Sequence, residues 1–103
     1  MYKICFYVPE SHLEQVKNAM FASGAGKLGK YSCCAWQVLG EGQFMPLEGS
    51  HSFVGTEGVV EKVKEYKVEM VCVDEMIQAV VTAMKKAHPY EELAYQVWRV
   101  EAF

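Results

Sequence analysis

Between Glu65 and Cys72 the chain alternates residue by residue: Tyr66, Val68, Met70 and Cys72 take one parity, while Glu65, Lys67, Glu69 and Val71 take the other. Successive side chains of a strand point to opposite faces, so this stretch reads as a strand with one apolar side and one largely charged side. A sheet containing it needs a cover on one side. Two segments have the spacing to supply it. Leu13, Val16, Ala19 and Met20, and later Ile77, Val80, Val81, Met84 and Ala87, recur at intervals of three, four and seven, the signature of helices with one buried stripe. Around them, Tyr2 to Val8, Tyr31 to Leu39, Val59 to Val73 and Ala94 to Val100 have strand composition. In the first, Tyr2, Ile4, Phe6 and Val8 share a face opposite Lys3, Cys5 and Tyr7. The order strand, helix, strand, strand, helix, strand predicts an α+β fold: a ferredoxin-like βαββαβ sandwich whose antiparallel sheet lies under two helices. At 103 residues the chain has room for one such domain, 1–103.

Local signals place the boundaries. Ser11 and Glu14 fit a capping box at the first helix, which should run to Phe21 or Ala22. Asp74 is positioned to cap the second helix, Lys85 and Lys86 suit its negative end, and His88-Pro89 stops it, because the residue before proline is pushed out of helical geometry. Gly24, Gly26 and Gly29 follow a helix and precede a strand, the reverse of a phosphate-binding loop, so they read as loop-positioning glycines. Gly40-Glu41-Gly42 reads as a turn, with Gln43 to Pro46 a short extended arm leading into a Gly- and Ser-containing connection through Gly58.

Charge narrows the partners. A net charge of -3 with scattered Lys and Arg offers no basic field for nucleic acid, and no segment approaches the length of a membrane span. The four cysteines come without a secretory pattern and read as reduced thiols, which predicts a cytoplasmic location. Cys33 and Cys34, taken as neighbours on a strand, would point to opposite faces and not share one metal, although copies meeting at a symmetry axis could hold a soft ion. Tyr7, Trp36 and Trp98 fall on sheet sides that the helices do not cover, so the chain should self-associate to hide them.

The densest polar group is His88, Tyr90, Glu91 and Glu92. A histidine beside carboxylates has the ingredients for ligand binding, metal binding or proton transfer, and equally for capping and bridging within the fold. His51, in a Gly- and Ser-containing stretch, joins His88 and Glu92 as a candidate metal ligand; a divalent metal ion is the one cofactor this set admits. No serine or cysteine carries the local signature of an activated nucleophile, so no catalytic residue is nominated.

Two stretches, Ala-His-Pro-Tyr-Glu-Glu-Leu-Ala-Tyr at 87–95 and Gly-Lys-Tyr-Ser-Cys-Cys through Gly-Glu-Gly-Gln-Phe-Met-Pro at 29–46, carry a resemblance to a known family. The chain resembles the YqfO-type domain inserted in NGG1-interacting-factor-three-like proteins, departing from the family pattern at Glu48 to His51. The resemblance implies a fold similar to the CutA and PII signalling proteins and a homotrimer. It also implies that the dinuclear metal site of longer members lies outside this segment, and His12, His51 and His88 are too few to rebuild it. The expected function is a non-enzymatic trimeric module that senses or binds a small molecule or metal ion, or an accessory domain for a partner protein. The alternatives are a metal-assisted hydrolase using His88, Glu91 and Glu92 from adjacent chains, and an oligomerisation unit alone.

Overall fold

The computed structural model describes residues 1–103. The elements run β1 (Tyr2–Pro9), a 3₁₀ turn (Glu10–His12), α1 (Leu13–Ala22), β2 (Trp36–Phe44), β3 (Glu61–Cys72), a second 3₁₀ turn (Asp74–Met76), α2 (Ile77–Ala87) and β4 (Tyr95–Arg99). The strands form one sheet in the order β2-β3-β1-β4, every pair antiparallel. This is the βαββαβ arrangement that the alternation and helical stripes predict, and both helices pack together on one side.

The register explains the core. Phe6 lies opposite Val68 and Ile4 opposite Met70, so the apolar parity of β1 and β3 forms one patch. Leu13, Val16 and Met20 from α1, with Val80 and Met84 from α2, close over it. Each fully buried side chain of this size contributes about 1.5–3 kcal/mol. Phe21, Ile77, Val81 and Leu93 seal the margin.

Helix entry differs from the capping reading at both sites. Pro9, with φ near -67°, and the 3₁₀ turn after it lead into α1 without a side-chain cap, and Ser11 Oγ instead meets His12 Nδ1 at 2.8 Å. Asp74 does not cap α2 either. The antiparallel strand ends bring the Met1 amine and Arg99 beside it, and its carboxylate takes both, Arg99 Nη1 at 3.1 Å. An ionic partner outcompetes a backbone amide for the same oxygens.

β2 also differs from its sequence reading. It begins at Trp36 rather than Tyr31, because Gly26 donates to Val71 O at 2.8 Å and accepts from Cys34 N at 2.8 Å, folding the preceding segment against β3. Cys33 therefore sits in a loop, with φ of 58°, and not on a strand. Gly40 to Gly42, read as a turn, lie inside β2 opposite Glu65 to Val63. The pairing continues to Phe44 opposite Glu61, whereas β1 stops at Pro9 opposite Glu65. Past that point β2 and β3 run on as a two-stranded arm, and the molecule measures 46 × 25 × 24 Å.

The side of the sheet away from the helices carries Lys3, Glu69 and Lys67, with Nζ to carboxylate distances of 3.2 and 3.5 Å. Trp36 (59% exposed), Val38 (44%) and Trp98 (46%) flank this cluster. No helix is long and apolar enough to cross a membrane.

Candidate functional site

Pro89 forces His88 out of α2 with φ -75° and ψ 139°, which turns its ring inward, where only 6% of the residue is exposed. There Nε2 lies 2.7 Å from the Tyr7 carbonyl oxygen and Nδ1 lies 3.1 Å from the Tyr90 amide. A carbonyl can only accept and an amide can only donate, so Nε2 carries the proton and Nδ1 is the acceptor. The neutral ring thus pins β1 to the segment after α2. Burial holds its pKa below the ordinary histidine value, with the bond to Tyr7 opposing that effect.

The pinned segment forms one wall of a cleft of about 400 Å³. Tyr90, Glu91, Glu92 and Ala94 line that wall, Tyr7 and Glu65 rise from the sheet, and Gln43 to Leu47, Ser50, Ser52 and Phe53 complete it from the end of β2 and the following loop. That loop curls around buried Pro46, whose carbonyl accepts from Gly58 N at 2.8 Å. Glu91 Oε2 accepts from the His51 backbone amide at 2.7 Å, joining loop to wall. Tyr90 stands between Phe44 and Phe53, ring centroids 6.3 and 6.1 Å away and tilted at 53° and 44°.

Glu65 reaches this space because Gly42 has no side chain: a Cβ there would fall 2.0 Å from Glu65 Oε1. Burial alone raises the Glu65 pKa above the ordinary carboxylate range, as expected of an acid with no cation beside it. Tyr90 is raised too, first by burial and then by the Glu65 charge. Ser50 Oγ is buried with no hydrogen-bond partner.

Of the residues nominated from sequence, Tyr90, Glu91 and Glu92 line the cleft together. His88 supports it from behind with both ring nitrogens occupied by backbone, and His51 contributes its amide rather than its imidazole. The nominated metal set His88, Glu92 and His51 is not brought to one point, and no group of three or more His, Cys, Asp or Glu side chains is arranged to hold a metal ion. The physical reason at His88 is that both ring nitrogens are already bonded, one to the Tyr7 carbonyl and one to the Tyr90 amide, and have no lone pair to give. Glu65, Phe44, Phe53 and Ser50 belong to the site without having been nominated. Glu65 falls on the charged parity of β3, which reads as a solvated face; the glycine in the facing strand is the signal of close approach that marks it.

No protein-family model matches the chain. Curated relatives named GTP cyclohydrolase 1 type 2 homolog are 46% identical over 96 residues in Mycobacterium leprae and 42% identical over 98 residues in Halalkalibacterium halodurans, covering 93% and 95% of this chain. The chain spans about a quarter of those proteins, 25% and 26% respectively. The crystal structure of a Bacillus cereus protein related to NIF3 superposes with a TM-score of 0.84 at 37% identity, over 98% of this chain and 26% of that one. The periplasmic divalent cation tolerance protein CutA from Archaeoglobus fulgidus superposes with a TM-score of 0.68 at 16% identity, over 100% of this chain and 87% of its own, which shows a shared fold. The PII-like protein CutA from Nostoc sp. PCC 7120 does so at 0.64 and 17%, over 98% of this chain and 82% of its own. Along nearly its whole length, this chain is similar to a segment making up about a quarter of those relatives and of the NIF3-related protein, and it is built on the CutA/PII-like fold.

Proposed function

We propose that this chain is a non-enzymatic binding module that self-associates as a homotrimer and takes a small molecule in the Tyr90-Glu91-Glu92 cleft, as a sensor or as the accessory domain of a partner protein. The observation that carries the reading is the cleft itself. Its volume of about 400 Å³ falls within the range of small-molecule sites, roughly 300–1,000 Å³, and several convergent polar groups sit on apolar walls. His88, behind the cleft wall, is committed on both nitrogens to holding backbone, which favours binding over proton transfer by that residue.

Self-association rests on the exposed side of the sheet. Trp36, Val38 and Trp98 surround a cluster containing both charge signs, a surface that a second and third copy related by a closed three-fold rotation can cover, positive groups of one copy meeting negative groups of the next. Four free thiols, two of them buried, fit a reducing compartment, and we place the chain in the cytoplasm.

Size-exclusion chromatography with light scattering at micromolar concentration tests the assembly: three times the chain mass is expected, and W36E/W98E should dissociate it. Amide chemical-shift mapping with a fragment set tests the cleft, with shifts expected at residues 50–53 and 90–92. A monomeric wild type, or a purified oligomer that turns over a substrate, overturns the proposal.

A further inference from the structure

The cleft described above also has a charge that selects its occupant. Among its fourteen lining residues are three carboxylates, Glu65, Glu91 and Glu92, and no lysine, arginine or histidine. Glu91 is partly satisfied by the His51 amide, whereas Glu65 has neither a hydrogen bond nor an ion pair from the protein. A phosphate or carboxylate ligand entering here would meet like charge from exposed Glu91 and Glu92 and from half-buried Glu65, beside which repulsion is stronger than in water. The walls are aromatic and apolar as well: Phe44, Phe53 and Tyr90 stand within 6.3 Å of one another through Tyr90. Aromatic rings attract a desolvated cation through their negative faces, and this cleft gathers three of them. A bare divalent ion is a poor match, since it seeks six or more hard oxygens, and no three-ligand group exists.

We infer that the cleft binds an organic cation, an ammonium or amidinium group on an apolar body, with the charge beside Glu65 and Glu92 and the body against Phe44, Phe53 and Tyr90. This rests on the reading of the cleft as the binding site and adds its chemical class. The Ser50 hydroxyl, buried and unpartnered, supplies a further acceptor for an N-H group.

The test uses three probes of one size and differing charge: phenethylamine, phenethyl alcohol and phenylacetate, titrated into the full chain at neutral pH with amide shifts and calorimetry as readouts. The amine should shift residues 50–53 and 90–92 and bind at least roughly tenfold more tightly than the alcohol, with phenylacetate weakest. E65Q and, independently, the exposed E92Q should each weaken the amine while leaving the alcohol unchanged, their folding checked by spectral dispersion. Equal binding of all three probes at those amides overturns the charge selection and leaves the cleft standing. Absence of any shift there with all three overturns the cleft reading and this inference together.

Discussion

Replacing His88 tests whether the cleft wall is held by the pair of backbone bonds assigned to one imidazole. In His88→Ala the Tyr7 carbonyl and the Tyr90 amide both lose their partner in a partly buried setting. Each such group costs about 1–3 kcal/mol when left unsatisfied, so with some local relaxation the loss should be about 2–4 kcal/mol. That is a large share of the roughly 5–15 kcal/mol available to a domain. For a chain of this length the melting temperature should fall by about 8–32 °C, at about 4–8 °C per kcal/mol. His88→Gln, which can replace one bond and not both, should lose about half as much. A second arm uses pH. The folded-state pKa of His88 lies below its unfolded value of about 6.5, so the unfolded chain binds the proton more readily. The corresponding stability is complete above pH 6.5 and is lost as pH falls below it toward the folded pKa, with a slope of at most about 1.4 kcal/mol per pH unit. Urea unfolding at a series of pH values, wild type against His88→Gln, isolates this slope as a difference. A loss under about 1 kcal/mol in His88→Ala, or identical pH slopes in wild type and His88→Gln, would refute the reasoning.

Three further outcomes are expected. Gly42→Ala places a methyl where the Glu65 carboxylate now rests; that side chain can swing away, so urea stability should change by less than about 1 kcal/mol while amine binding in the cleft drops. Gly26→Ala has no such escape, since φ is +78° and a Cβ would lie 2.8 Å from the Phe21 ring and 3.0 Å from the Cys34 carbonyl; a loss of about 1–3 kcal/mol in thermal unfolding is expected. The Met1 amine and then Arg99 hold the Asp74 carboxyl below its ordinary pKa, so its stabilisation is present at neutral pH and is lost as pH falls through the folded value; Asp74→Asn should flatten the acid limb of the stability curve below about pH 4.

The fold was legible because two periods, two residues in β3 and between three and four in the helices, agree with one layer order. Where the sequence was ambiguous, a long-range contact decided. Gly40 and Gly42 carry turn chemistry, yet their pairing with β3 keeps them extended. Ser11 and Asp74 carry capping chemistry, yet His12, the Met1 amine and Arg99 reach them first. The site was legible in part for the same reason. Tyr90, Glu91 and Glu92 are adjacent in the chain and stand out as a motif, whereas Phe44, Phe53 and Glu65 come together only through the strand register and the loop closing on Pro46. His88 stands out too, but its role depends on the Tyr7 carbonyl, 81 residues away.

The extension of β2 and β3 beyond the end of β1 has a consequence for the stability of the arm that carries Phe44. Past Glu65 the hairpin has no third strand beside it, and a lone pair of strands is marginally stable in water. Amides at 41–44 and 61–64 should therefore open at a free energy below that of global unfolding and exchange faster with solvent than those of β1. Phe44 sits at the tip of that frayed ribbon while Tyr90 is anchored to the rigid body. A molecule lodged between them would clamp the ribbon shut, and amide exchange along 41–44 and 61–64 would slow.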